Sequence, residues 1–167
     1  MASIMRYRTG VVAYVALKTN TTYPIEEGDL VYEASGYAYP ANHQSDVGDA
    51  AANRAEFAGK FAGVAAHKTG LQSGETSFKL TTDPGYTLVA VSGDWAYECA
   101  ATSWVTGDLV GVYNDATINS NQKVAKVTSV AEAIGVANVP YNALGTSQTE
   151  IIVSIRSKLV HNSVSGQ

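Results

Sequence analysis

Three histidines, His43, His67 and His161, are the side chains best suited to hold a transition metal or move a proton near neutral pH. They lie far apart. None has a second histidine or a carboxylate at ligand spacing along a helix or hairpin, so no metal site is expected. Serine, histidine and aspartate all occur, but there is no Gly-x-Ser-x-Gly elbow, no P-loop and no dinucleotide fingerprint. Gly70-Leu71-Gln72-Ser73-Gly74 places glycines near a serine, yet its surroundings read as a hairpin loop. Glu26 and Glu27, with Asp29 close behind, could supply a general acid and base; a solvated turn accounts for them more simply. The single cysteine, Cys99, excludes an internal disulfide framework and any cysteine-rich zinc site. It reads as a core residue in a chain made in a reducing cytosol. The expectation is a protein that is not an enzyme and takes no cofactor.

Aromatic residues offer a different chemistry. Tyr37 and Tyr39 alternate, so in a strand they share one face, and Trp95 and Tyr97 do the same. Such faces stack on sugars, or they bury themselves in a core or a subunit interface. The candidate contact residues are therefore Tyr37, Tyr39, Trp95 and Trp104. To these are added Arg6, Tyr7 and Arg8, a basic segment in a net acidic chain that could form an arm reaching a neighbour.

Charge narrows the partners. The net charge is −4 and the eleven lysines and arginines are scattered, which argues against nucleic-acid binding. Only 16% of residues are charged against 46% apolar, the composition of a surface that meets other protein. The apolar run at 11–17 is too short to span a membrane, and no cleavage pattern follows it. The expected protein is soluble, unexported and free of membrane contact.

The elements that must position these residues are mostly strands. Short β-branched and aromatic runs alternate with Gly, Asn, Asp and Ser, which predicts an all-β chain with strands near 10–18, 30–34, 61–67, 77–80, 87–91, 109–113, 123–130, 133–139 and 151–157. Ile151, Val153 and Ile155 fall on one face, the period of a half-buried strand. Between them, residues 46–57 are alanine-rich and predict one short helix capped by Asp46.

Two phrases recur. Gly28-Asp29-Leu30-Val31 returns as Gly107-Asp108-Leu109-Val110, and Phe61-Ala62-Gly63-Val64-Ala65 is echoed by Ala133-Ile134-Gly135-Val136-Ala137. Glycine tolerates positive φ and aspartate accepts from nearby amides, so each Gly-Asp pair makes a tight turn before its strand. A glycine inside each second phrase marks a close backbone approach, hence a closed or strongly bent sheet. The first copy is about seven residues longer, an insertion that coincides with the helical stretch and should sit in a surface loop. The predicted fold is a compact β-barrel or β-sandwich of two related units sharing one core. Residues 1–24 form an N-terminal arm and first strand; residues 25–160 form one domain, with the repeat over about 25–91 and 104–157; residues 161–167 form a flexible tail.

The order of these motifs, with Gly85-Tyr86-Thr87-Leu88-Val89-Ala90-Val91-Ser92-Gly93-Asp94-Trp95 between the copies and a strand at the end, resembles the small capsid decoration, or cement, proteins of tailed bacteriophages. These include a widespread family known only as a domain of unknown function. The likeness covers residues 25–157. It implies a β-rich structural protein of the virion, made in the host cytoplasm and bound to the outer capsid surface. It also implies a homotrimer that stabilises contacts between major capsid protein subunits. Residues 42–57 and the N-terminal lead depart from the pattern. A carbohydrate- or receptor-binding β-module of a phage particle is the alternative.

Overall fold

The computed structural model describes residues 6–9, 12–19, 22–66, 85–140 and 145–161. Eleven strands and two helices follow one another as β1 (Arg6–Thr9), β2 (Tyr14–Thr19), β3 (Leu30–Ala34), β4 (Tyr37–Pro40), α1 (Ala50–Lys60), β5 (Phe61–Ala65), β6 (Tyr86–Ala90), β7 (Asp94–Ser103), β8 (Leu109–Asp115), β9 (Ile118–Lys126), β10 (Gly135–Asn138), β11 (Ser147–Ile155) and α2 (Lys158–His161). Strands β2 to β6 close into one five-stranded barrel. Strands β7 to β11 close into a second, with β1 added at the edge of β7.

The two barrels have the same wiring. In each, the first strand runs parallel to the third and antiparallel to the fifth, while the second pairs with the third and fourth. Registers also correspond: Leu30 faces Val64 as Leu109 faces Val136, and Ala65 faces Val89 as Ala137 faces Val153. Each unit thus begins one strand before its Gly-Asp turn, with β2 and β7.

The matching strand glycines mark where each barrel closes. A Cβ on Gly63 would lie 2.1 Å from the Ala90 carbonyl oxygen, and one on Gly135 would lie 2.4 Å from that of Ser154. Only a hydrogen fits there.

One core joins the barrels. On β3, Leu30 and Tyr32 point to a cluster shared with Trp95, Tyr97, Trp104, Val110 and Val153 of the second barrel, while Val31 between them points into the first barrel with Ile25, Ala62 and Val89. This is the period-two alternation of a strand, with both faces covered.

Helix α1 differs from expectation at its start. Asp49 caps it, accepting from the Ala52 N–H, whereas Asp46 stays in the preceding loop and binds the Gly48 N–H and the Asn53 side chain. Asn53 also supports that loop by accepting from the Val47 N–H, which holds it out of the helix. Nor is α1 a surface excursion. Phe57 and Ala58 are buried, and the helix packs chiefly on β8 and on the 3-10 turn Val130–Glu132 of the second barrel.

The strand expected at 123–130 runs earlier, over Ile118–Lys126, because Ser129 caps the Val130–Glu132 turn. The strands at 6–9, 37–40 and 94–103 are additional to the predicted runs, and the last two carry the alternating pairs Tyr37 with Tyr39 and Trp95 with Tyr97. The expected strand at 77–80, the hairpin loop at 70–74 and His67 lie outside the described residues, as do residues 162–167 of the tail and residues 1–5.

Candidate binding surface

The repeated Gly-Asp turn is built identically twice. Gly28 and Gly107 adopt φ of 91° and 95°, conformations that favour glycine. The Glu26 N–H donates to Asp29 Oδ2 at 2.9 Å, and the Val105 N–H donates to Asp108 Oδ2 at 2.8 Å. Each turn is tied to its barrel by the same pair of backbone bonds, between Gly28, Asp29 and Ala65 and between Gly107, Asp108 and Ala137.

Their surroundings differ. Asp108 faces Lys126 Nζ at 2.6 Å. Partial burial pulls its carboxyl upward, but the ammonium and the Val105 N–H prevail and hold it below the usual range. Asp29 is not the solvated residue its sequence context suggests: it is buried under β9 of the other barrel. Gln122 Nε2 donates to its Oδ1 at 2.9 Å and Asn121 Nδ2 to its Oδ2 at 3.4 Å. Burial nevertheless dominates and pushes the carboxyl up to about 6. The fully buried Tyr97 hydroxyl, donating to the Gly28 carbonyl at 3.2 Å, is raised for the same reason and by the Asp29 charge.

This contact belongs to a polar seam between the barrels. The Asn42 N–H donates to Asn121 Oδ1, Asn119 Nδ2 donates to Gln44 Oε1, and Arg54 Nε meets Glu132 Oε2 at 2.6 Å. Gly111 stands where the first barrel has Tyr32. A Cβ there would meet the Glu132 carbonyl oxygen at 2.7 Å, so its absence lets Arg54 and the turn close over β8. The seam is a joint of amide, carboxylate and guanidinium side chains.

Two groups of aromatic residues stand out at the surface among the described residues. Tyr23 and His43 stack with ring centres 3.5 Å apart, and Tyr39 lies 5.0 Å from His43 and 5.5 Å from the buried Tyr32. The second feature is the outer face of the first barrel. Across three strands, Tyr37 on β4 faces Lys18 on β2, and Lys18 faces Tyr86 on β6. The next rows pair Ala16 with Leu88 and Tyr14 with Ala90. Tyr14 is 52% exposed, Tyr86 46%, Leu88 40% and Tyr37 38%, which makes this a contiguous apolar patch around one cation.

Of the residues chosen from sequence, Tyr37 belongs to this face and Tyr39 to the half-buried stack below it. Trp95 and Trp104 do not present a contact surface. They are 3% and 1% exposed, because the inner face of β7 and the residue after its end fill the shared core. Arg6, Tyr7 and Arg8 lie in β1, whose backbone pairs with Asp94, Trp95 and Ala96 of the same chain. Tyr14, Lys18, Tyr23, His43, Tyr86 and Leu88 were not singled out. Lys18 and Tyr86 are alternating strand residues whose adjacency depends on a pairing between distant segments.

Among the described residues there is no cluster of metal-ligating side chains, and no helix is long and apolar enough to cross a membrane. No protein-family model, no curated protein and no solved structure matches the chain.

Proposed function

We propose that the protein is a structural component of a phage virion, binding the outer surface of an icosahedral capsid and stabilising contacts between major capsid protein subunits as a homotrimer. The observation that carries this reading is the pairing of two like barrels into one body with an exposed apolar face. A protein that braces a shell needs a stiff body and a contact area with little charge to desolvate. The shared core and polar seam supply stiffness, and the Tyr14, Tyr37, Tyr86 and Leu88 face supplies contact area. The motifs that prompted the resemblance to decoration proteins are the turns and closure glycines that build both barrels. Replication by icosahedral symmetry then lets modest contacts add through effective concentration.

The test is co-sedimentation of the purified chain with assembled phage heads that lack it. Saturable binding, with a raised melting temperature of the shell, is expected. A folded chain that stays in the supernatant at every ratio overturns the reading.

A further inference from the structure

Matching edges of the two barrels are covered in one and open in the other. Strand β7 has β11 on one side; on the other, β9 covers it at Glu98 and Cys99, and β1 covers it at Asp94–Ala96. The matching strand β2 has β6 on one side, and on the other β4 covers it at Lys18 and Thr19. Tyr14, Val15 and Ala16 hold the positions of Asp94, Trp95 and Ala96, and among the described residues no strand lies beside them there. Exposure follows the pairing. Tyr14, Val15 and Ala16 are exposed in succession, on both faces of the strand, and Val15 is 36% exposed where Trp95 is 3%.

The backbone groups point accordingly. The Ala13 carbonyl accepts from the Val91 N–H and the Thr19 N–H donates to the Gly85 carbonyl, so the odd-numbered residues of β2 turn toward β6. Tyr14 and Ala16 therefore turn their N–H and C=O groups to the open side. In the second barrel the Gly93 carbonyl accepts from the Ile155 N–H, which turns Asp94 and Ala96 to β1 in the same way. The open edge also lacks the devices that keep edges apart. Residues 14–17 hold no proline and no charge, and their register with β6 is unbroken.

We infer that two copies pair edge to edge, with Arg6–Thr9 of each lying antiparallel beside Tyr14–Ala16 of the other. The fold shows what such a slot accepts, because the equivalent edge of β7 takes an antiparallel strand and that strand is Arg6–Thr9. Strand β1 ends its sheet, so among the described residues its far side is open and it can serve a second copy without leaving β7. One twofold rotation fills both β2 slots, so the contact is isologous. Its axis is normal to the paired strands, which turns the Tyr14, Lys18 and Tyr86 faces of both copies the same way. The inference goes beyond the proposed homotrimer, since a twofold contact joins copies of neighbouring trimers rather than closing one.

The experiment is sedimentation analysis of the full chain without any capsid. Wild type forms even-numbered species, a dimer or paired trimers. A16P removes an N–H on the open side and leaves the β6 ladder intact; Y7P does the same on the far side of β1. Each weakens the pairing by about tenfold or more, since proline is tolerated at an edge but cannot donate across it. Melting curves and circular dichroism establish that the variants are folded. Contact identity comes from cross-linking in a C99A background: a short bismaleimide joins a copy carrying R8C to one carrying Y14C, and joins neither to its own kind.

A wild-type chain that stays monomeric or strictly trimeric at roughly millimolar concentration overturns the pairing. Cross-linking of Y14C to Y14C overturns it in favour of β2 against β2. If A16P abolishes binding to phage heads while the wild type alone does not pair, a strand of the shell occupies the slot, and the pairing fails while the proposed function stands. If A16P only lowers the melting temperature, another segment of the same chain covers the slot, and the pairing fails again. Intact pairing with no affinity for heads leaves the inference in place and overturns the function.

Discussion

Asp29 and Asp108 occupy the same position in two copies of one turn, yet the first is buried between the barrels and the second is paired with Lys126 at the surface. The two turns share their backbone geometry and differ in their electrostatics.

The two carboxyls therefore carry opposite pH signatures. Asp29 is raised from 3.8 to about 6, so between those two values its folded form holds a proton that the unfolded chain has already released. Its contribution is fully present below the ordinary carboxylate value and is lost as pH rises through about 6, up to roughly 3 kcal/mol in all. Asp29→Asn should raise the melting temperature at pH 7.5 and flatten the pH 4–7 dependence, since its amide oxygen can still accept from Glu26 and the Gln122 amide can rotate to meet the new N–H. Denaturant titration of both proteins across that range measures the difference.

Asp108→Asn should act in the other direction. A depressed carboxyl stabilises above its unfolded value and loses that effect as pH falls through the folded one. Because Lys126 is substantially exposed, the loss at pH 7 should be only about 0.5–1 kcal/mol, and it should shrink in high salt.

Alanine at Gly63 or Gly135 should cost about 3 kcal/mol or more, since neither facing carbonyl can retreat without breaking the closing ladder. Gly107→Ala is the control. Nothing lies within 4 Å of its Cβ position, so only its φ of 95° is penalised, at about 1 kcal/mol. Chemical denaturation of the three variants ranks them.

Arg54 and Glu132 should be coupled. The pair is largely buried and joins α1 to the second barrel, so a double-mutant cycle with alanine at each position should give an interaction of about 1–2 kcal/mol. Additive losses would mean that the seam is held by its apolar neighbours alone.

Both tryptophans should report a dry environment. Emission from the native chain should be blue-shifted and poorly quenched by iodide, because Trp95 and Trp104 sit in the shared core. Efficient quenching of either residue would contradict that placement.

Local chemistry made much of this fold legible in sequence. The Gly-Asp turns and closure glycines are set by backbone sterics within a few residues, and both were readable as such. Strand identity followed from β-branched runs, and Leu30–Ala34 emerged with its limits unchanged. The helix was legible from its alanines, but Asp46 and Asp49 are equal candidates as caps until Asn53 engages the first.

The length of the insertion misled for a reason of arithmetic. Twenty residues lie between Pro40 and Phe61 but six between Lys126 and Ala133, whereas two lie between Ala34 and Tyr37 and nine between Tyr113 and Lys123. A net excess of about seven thus conceals two insertions, one in each unit. The first supplies Asn42, Gln44 and Arg54, and the second supplies Asn119, Asn121 and Gln122; together they make the polar seam. The Tyr37, Lys18, Tyr86 row escaped notice because it exists only in the register of three strands distant in sequence.

Val91, Ser92 and Gly93 link β6 directly to β7, while each outer part of the chain crosses to the opposite barrel. Strand β1 lies along β7, and Ser157 and α2 return to β5, where the Ser157 hydroxyl bonds the Ala62 carbonyl. The molecule is consequently laced rather than strung. A pull transmitted through either crossing segment loads the β1–β7 pairing or the packing of α2 on β5 before it reaches the three-residue link, so the halves part only after those crossings are undone.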